Sequence, residues 1–348
     1  GLNTASAGHK SGTATISLLS DGTGTSGFGA LAIGTQTVNV SGTVFRLAQA
    51  NNVLGVNFGA VHVGDSVSQA LTIQNVAAAD GFSEGLDAGC GGSSDARILT
   101  SGSITNLAAG GSNNASMSVG INTGAAGLVT GTTTLNFASN GADTSGLGIT
   151  ALDSQVINVD AVISEAAVFR LASPVIQNAQ PINFGKFRVG DVVSNVALSV
   201  LNDVPADGFS EALDASAAGA SSGFSVAGGF NLLGAGETDT TGVTVGMSTA
   251  SAGHQVGTAS VAFNSNGEGS SGLGITSLGS QNVALTGDVY RLASASIASN
   301  VNLGNVHVGG SLGQALAITN TAAADGFSES LNASVAGANN GASASGAV

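Results

Sequence analysis

A long internal repeat constrains this chain more than any other feature of its sequence. The segments VFRLA, VFRLA and VYRLA begin at Val44, Val168 and Val289, which gives a period of about 120 residues. Each is followed by a second matching segment, which reads VNFGAVHVGD, INFGKFRVGD or VNLGNVHVGG. Because this period is the size of one ordinary domain, the sequence predicts a row of similar domains.

The given sequence starts and stops in the middle of a repeat. Gly1 aligns with Gly120 and Gly246, and Val348 aligns near residue 230. Gly1 stands where Met would begin a chain and no basic-then-apolar leader follows it, so we expect a processed or excerpted segment. The predicted organisation is a C-terminal half-repeat at 1–43, complete repeats at 44–167 and 168–288, and an N-terminal half-repeat at 289–348.

Alternation within the repeat predicts β-strands. Val38 and Val40 alternate with Thr37, Asn39 and Ser41, which is the period of a strand with one buried face. Turns rich in Gly, Ser, Asn and Asp separate such strands at intervals of about ten residues. The predicted fold class is all-β, with tandem immunoglobulin-like antiparallel β-sandwiches. The alternative is a parallel β-helix, whose rungs would recur every ~20–25 residues, a period absent from this sequence.

Composition restricts the partners of the chain. It has 21 acidic and 7 basic residues and a net charge of −14, so like-charge repulsion disfavours nucleic acid and anionic membranes as partners. No apolar run reaches the ~20 residues of a membrane span. Hydrophobic residues form 43% of the chain and charged residues 8%, a composition typical of a folded chain rather than a disordered one.

The cysteine and the histidines give no pattern of a disulfide or a metal site. Cys90 is the one cysteine, and we interpret it as a small side chain in a Gly-rich loop. His9, His62, His254 and His307 have no His, Cys or carboxylate neighbour at the spacing of metal ligands. We therefore expect surface histidines and no cofactor.

The turn loops SDGTGTSG, SNGADTSG and SNGEGSSG each carry one acidic residue, at Asp21, Asp143 and Glu268. Its position shifts between the repeats, so we interpret these residues as turn formers rather than calcium ligands. The sequence contains no nucleophile elbow and no phosphate-binding loop. We expect no enzymatic activity.

The acidic hexapeptide ADGFSE occurs three times, at 79–84, 206–211 and 324–329. Its two carboxylates suggest general acid–base catalysis or calcium binding, but three copies in one chain favour a structural role. We expect the Asp-Gly pair to form a turn, the Phe to enter the core, and the Glu to pair with the repeated Arg in a partly buried ion pair. These residues are Asp80, Phe82, Glu84 and Arg46; Asp207, Phe209, Glu211 and Arg170; and Asp325, Phe327, Glu329 and Arg291.

The motif FGxVxVGD followed by ALxIxN resembles the opening of bacterial choice-of-anchor D domains, which are similar to Hydin-like and major-sperm-protein-like immunoglobulin folds. The segments AADGFSE, GTxTLNF and TSGLG resemble the Ala/Gly-rich repeats of very large bacterial surface proteins. The resemblance covers nearly the whole chain. It implies a secreted, extracellular or cell-surface bacterial protein, with anchoring or secretion signals elsewhere in the chain.

The joints between repeats contain no Pro and no long spacer, which predicts a row of domains with limited bending. The middle joint, between Gln155 and Phe169, is longer than the others, and we expect it to be the loosest.

Two functional hypotheses follow from this pattern. The first is a structural segment of a surface fibre or filament, whose half-repeats either come from a longer repetitive chain or complete each other between copies, head-to-tail. The second is an adhesin stalk or binding module for a glycan or a cell-surface protein. One Tyr and no Trp leave little of the aromatic surface on which sugars stack.

Overall fold

The structure is a computed structural model that describes residues 1–159 and 166–348. The described residues form β-strands and no α-helix, so none of them belongs to a helix long and apolar enough to cross a membrane. The chain divides into two compact units, Gly1–Phe169 and Arg170–Val348. Each unit contains one complete sandwich, here named a complete module, and one half-module.

The N-terminal half-module comprises residues 1–45. It is a hairpin of two long strands, β1 (Gly8–Ser20) and β2 (Leu31–Val44). The strands are antiparallel, with Gly12 opposite Val40 and Ser20 opposite Leu31.

The first complete module comprises residues 46–169. Its strands are β3 (Ala60–His62), β4 (Val67–Ala70), β5 (Ile73–Gln74), β6 (Gly85–Ser93), β7 (Ile98–Leu107), β8 (Ser112–Asn113), β9 (Met117–Ile121), β10 (Gly127–Val129), β11 (Gly131–Asn140), β12 (Ile149–Ala151), β13 (Gln155–Val159) and β14 (Ala166–Phe169). Strand β6 contains Cys90, so the Gly-rich stretch interpreted as a loop is a strand.

Two layers of sheet enclose the core of this module. One is a seven-stranded sheet in the order β12-β11-β6-β7-β9-β4, with β13 also paired to β11; the other consists of the sheets β10-β14-β3 and β5-β8. Val61, Ile73 and Val168 from the small sheets share one core with Leu86 and Leu135 from the large sheet. The predicted sandwich is confirmed, with one addition: β14 runs parallel to β3.

The second complete module, residues 170–290, repeats this arrangement. Its strands are β15 (Pro174–Ile176), β16 (Ile182–Arg188), β17 (Val196–Ala197), β18 (Val200–Asn202), β19 (Ala212–Ala220), β20 (Phe224–Leu233), β21 (Thr238–Asp239), β22 (Val243–Met247), β23 (Gly253–Asn266) and β24 (Ile275–Tyr290). The large sheet has the order β16-β24-β23-β19-β20-β22-β17, and β15-β18-β21 forms the small one. Burial alternates along β23, and Val200, Leu213, Val261 and Leu285 lie in one core.

The C-terminal half-module, residues 291–348, contains β25 (Ala295–Ile297) and β26 (Ile318–Asn320). The three predicted boundaries between repeats lie inside β2, β14 and β24. The prediction of a loose middle joint concerns the segment from Gln155 to Phe169, of which residues 160–165 lie outside the described residues.

Candidate functional site

The three copies of ADGFSE form the same turn. In each copy the aspartate Oδ1 accepts a hydrogen bond of 3.0 Å from the N–H of the phenylalanine. The glycine between them has a φ of 82° at Gly81, 86° at Gly208 and 85° at Gly326, and side chains with a Cβ rarely adopt such values. The Asp-Gly pair therefore fixes the direction in which the chain enters the rest of the hexapeptide.

The repeated arginines bind the aspartate of the hexapeptide, where the sequence led us to expect the glutamate. The Nη1–Oδ2 distances are 2.6 Å for Arg46–Asp80, 2.7 Å for Arg170–Asp207 and 2.7 Å for Arg291–Asp325.

Backbone pairing explains this correction. Arg46 forms a parallel bridge with Ser83; its N–H donates to Phe82 O at 2.8 Å, and its carbonyl accepts from Glu84 N–H at 3.0 Å. Side chains alternate between the two faces of an extended segment. Ser83 therefore faces Arg46, with 3.3 Å between Oγ and Nη1, while Glu84 points to the opposite side.

These ion pairs are exposed to solvent. The side chains of Arg46 and Asp80 are 41% and 42% exposed, so the pair contributes little to stability. The hydrogen bond from Arg46, and after it the one from the Phe82 N–H, lowers the pKa of Asp80. The pKa of Asp325 is lowered in the same way by Arg291 and then Phe327, whereas for Asp207 the N–H of Phe209 is the larger cause and Arg170 the second.

The glutamate of the hexapeptide is buried and connects the two halves of a complete module. Glu84 is 2% exposed; its Oε2 accepts a hydrogen bond from Ser139 Oγ at 2.7 Å, and its Oε1 accepts one from Ser145 Oγ. Ser139 Oγ in turn accepts from Ala48 N–H at 2.7 Å. Hydrogen bonds to a charged group are stronger than neutral ones, so this carboxylate holds the loop after β11 on the first half of the module.

The second complete module has the same arrangement. Glu211 is 0% exposed, and its Oε2 and Oε1 accept from Ser265 at 2.6 Å and from Ser271. Ser265 Oγ accepts from Ala172 N–H at 2.8 Å. Two repeated motifs, ADGFSE and the SNGxxxSG loop, are therefore partners in one hydrogen-bonded site, which we name the Glu–Ser site.

An asparagine that the sequence analysis did not single out supports this site. Asn75, fully buried, donates from Nδ2 to the carbonyls of Glu84 and Leu107, each at 3.0 Å. Asn202 does the same to Glu211 at 3.1 Å. Its position as the last residue of each ALxIxN motif was the available signal.

The phenylalanine of the hexapeptide does not enter the core, which corrects a second expectation. Phe82 is half-buried and lies against the preceding half-module, with its ring centroid 6.0 Å from Phe45 and 5.1 Å from His9. Phe327 similarly lies 5.6 Å from Tyr290. Phe209 is also half-buried and outside the core cluster. In the two complete modules the inward position belongs to the glutamate, which is buried and accepts hydrogen bonds from two serines.

The C-terminal half-module holds one half of a Glu–Ser site. Glu329 has the same backbone contacts as its counterparts: its N–H donates to Arg291 O at 3.0 Å, and its carbonyl accepts from Asn320 at 3.0 Å. Its side chain is 33% exposed, and its Oε1 accepts from Arg188 Nε at 2.6 Å. The serines that bind Glu84 and Glu211 have no counterpart within residues 291–348.

Both half-modules expose apolar positions that the complete modules bury. Ile16 in β1 is 47% exposed, whereas its counterparts Leu135 and Val261 are 0% exposed. In the C-terminal half-module Leu316 is 46% exposed, against 3% for its counterpart Leu71. Each half-module therefore presents an exposed apolar face. In a complete module the corresponding face is covered by the other half of the sandwich.

The histidines and the cysteine that the sequence analysis considered form hydrogen bonds with neighbouring residues of their own module. His254 Nδ1 lies 2.6 Å from Asp288 Oδ1, and His9 Nδ1 lies 2.9 Å from Thr43 Oγ1. The Cys90 thiol lies 3.7 Å from Ser101 O. Within residues 1–159 and 166–348, no three His, Cys, Asp or Glu side chains group closely enough to hold a metal ion.

Comparison with known proteins does not assign this chain to a family. No family model matches the chain, and no curated protein matches its sequence. Similar solved structures include a protein of unknown function from Porphyromonas gingivalis W83, 9% identical with a TM-score of 0.24 and covering 70% of this chain and 100% of that one.

Two cadherin structures are also similar. Domains 3–6 of protocadherin gamma B2 are 12% identical with a TM-score of 0.31, covering 81% of this chain and 60% of that one. Drosophila N-cadherin EC1-4 is 9% identical with a TM-score of 0.21, covering 83% and 61%. TM-scores this low do not establish a shared fold. The evidence for the sandwich fold is the strand pairing within the two complete modules.

Proposed function

We propose that this chain is a structural repeat segment of a secreted surface fibre or filament, and not an enzyme. In this proposal the N-terminal half-module of one copy completes the C-terminal half-module of the next, so that copies join head-to-tail. The observation that carries the proposal is the complementarity of the two half-modules: each exposes apolar residues at positions that are buried in both complete modules.

The strand order of the complete module supports this assembly. Strand β11 lies between β6 on one edge and β12 and β13 on the other. Its counterpart β1 pairs with β2 alone among the described residues, which leaves one edge able to accept another strand. The counterpart of β6 in the C-terminal half-module, residues 330–338, has a single bridge, from Ser334 to Ala347. Adding a strand to an open edge is a common mode of protein association.

A surface location fits the chemistry of the chain. Charged residues form 8% of the chain, and the buried Glu–Ser sites stabilise the complete modules. The buried Glu84 and Glu211 do not face a cleft where a substrate could meet them, which supports a structural rather than a catalytic role.

A binding function is the second candidate, because the first complete module has a surface depression with a volume of about 470 Å³. Asn51, Asn52, Asp153 and Gln155 line it together with the apolar Phe137. Amides and carboxylates of this kind bind sugar hydroxyls, but Phe137 is 6% exposed and offers no ring face for stacking. Specific binding on a glycan array, by particles that stay monomeric, would favour this function over the fibre.

Sedimentation velocity and negative-stain electron microscopy of the 348-residue chain test the proposal. We expect particles that lengthen with concentration, and we expect Ile16→Asp to keep the chain monomeric. Val192→Asp is the matched control, because Val192 is 93% exposed in the second complete module and lies outside both half-modules. A wild-type chain that stays monomeric at all concentrations would contradict head-to-tail assembly.

A further inference from the structure

We infer that Glu329 is the residue that selects the partner half-module, by accepting hydrogen bonds from Ser20 and Ser26 of a second copy of this chain. This inference rests on the proposed head-to-tail assembly and identifies the contact that makes it specific. The three residues are the counterparts of Glu84, Ser139 and Ser145, now placed at opposite ends of the sequence.

The serine side of the site is already formed in the N-terminal half-module. The N–H of Gly27 donates to Gly22 O at 2.8 Å, the same bond that Gly146 makes to Gly141 at 2.8 Å. A Cβ built on Gly22 would lie 2.3 Å from Ser26 Oγ, and the corresponding distance is again 2.3 Å in both complete modules. The loop therefore holds its serine in the binding position before any glutamate is present, and Ser20 and Ser26 are exposed.

The glutamate side is formed as well. The bonds from Glu329 N–H to Arg291 O and from Asn320 to Glu329 O have the same lengths as at Glu84. Both partners are thus pre-organised, which reduces the conformational entropy lost on association. The difference lies in the side chain of Glu329, which reaches Arg188 and is accessible to solvent.

The register of the complete module aligns these groups. Strand β11 pairs with β6 so that Phe137 lies opposite Ala88 and Ser139 opposite Leu86. The same register between two copies places Leu18 opposite Ala333 and Ser20 opposite Leu331. Leu18 is 38% exposed in this structure, and the pairing would bury it beside the carboxylate.

Selection follows from the cost of burying an unpaired charge. A half-module with both serines satisfies Glu329 when the strands close, whereas an apolar strand without them would leave a carboxylate buried with no donors. The apolar face therefore supplies affinity, and the Glu–Ser site rejects strands of other sequence.

The test compares association constants of full-length variants by sedimentation equilibrium. Glu329→Gln, and the double variant Ser20→Ala with Ser26→Ala, should each weaken association by about tenfold to a hundredfold, the loss expected for hydrogen bonds to a charged group. Combining all three changes should weaken it little further, because the residues act on the same bonds. Glu268→Gln is the matched control, since this exposed glutamate lies in a loop of the second complete module.

Arg188→Gln separates the two contacts of Glu329. It removes the bond seen in the single chain and should leave association unchanged or tighter. Equal association constants for wild type and Glu329→Gln would overturn the inference and leave head-to-tail assembly intact. The inference would also be overturned if Arg188→Gln weakened association as much as Glu329→Gln does while the double serine variant did not. A wild-type chain that does not associate would overturn the proposed function itself.

Discussion

Glu84 Oε2 accepts a hydrogen bond of 2.7 Å from Ser139 Oγ, and this contact joins the two halves of a sandwich module. Glu211 and Ser265 repeat it at 2.6 Å. Glu84 and Ser139 stand 55 residues apart in the sequence, so the bond joins two distant segments of the module. The counterparts of this glutamate and this serine lie in different half-modules, at the two ends of the chain.

Glu84→Gln should destabilise the first complete module by about 1–3 kcal/mol, because it removes two charge-assisted hydrogen bonds from a buried site. Urea unfolding of the full chain measures the effect, and Glu211→Gln should reproduce it in the second complete module. Glu268→Gln serves as the exposed control. Equal unfolding midpoints for Glu84→Gln and wild type would show that the serines do not stabilise this carboxylate.

Gly141→Ala should also destabilise the first complete module, by about 1–3 kcal/mol. A Cβ there would lie 2.3 Å from Ser145 Oγ and 2.9 Å from Glu84 Oε1, so these two side chains must move and their hydrogen bond is disturbed. Gly89→Ala is the matched control in the same module, since its Cβ would meet nothing within 4 Å. Thermal unfolding of both variants checks the difference, and similar melting temperatures would contradict it.

Leu135→Ala and Ile16→Ala should have different effects although the two residues are counterparts. Leu135 is 0% exposed, so its truncation should cost about 2–5 kcal/mol of unfolding free energy. Ile16, at 47% exposure, should affect the unfolding of the dilute chain little and weaken association instead. Unfolding at low concentration, combined with sedimentation at high concentration, distinguishes the two; a large loss of stability for dilute Ile16→Ala would mean that the half-module is already covered.

Acid should weaken the fold through the aspartates of the hexapeptides. The pKa values of Asp80, Asp207 and Asp325 are lowered below the ordinary 3.8. A lowered folded pKa stabilises the fold above the unfolded pKa, and this contribution disappears as the pH falls from about 4 through the folded pKa. Replacing all three with Asn should reduce the loss of melting temperature that wild type shows as the pH falls below about 4. An unchanged pH profile of the triple variant would contradict this assignment.

The sequence predicted the fold because its signals are local or repeated. Alternation marked β2, and the long period marked the modules. The Gly-rich strand around Cys90 was mistaken for a loop, since glycine indicates a turn by composition while here it lies in a paired strand.

The partners inside the hexapeptide could not be predicted in the same way. Arg46 and Glu84 recur together, but which carboxylate the guanidinium meets depends on the backbone bridge between Arg46 and Ser83. Ser139 and Ser145 were hidden among many serines, and their selection depends on how β11 folds back onto β6. Phe82 resembled a core residue, yet its ring lies against Phe45 of the neighbouring half-module, and Glu84 is buried instead.

Intermolecular disulfide trapping tests the central claim most directly. In a Cys90→Ser background, the pair Leu19→Cys with Asn332→Cys occupies the positions of Ala138 and Asp87, which lie opposite each other in the complete module. Oxidation should give a ladder of covalent oligomers on a non-reducing gel, and the pair Leu19→Cys with Ala333→Cys, whose side chains face opposite sides of the strand pair, should give none. Monomers alone from the first pair, or equal ladders from both, would contradict completion of the split module between copies.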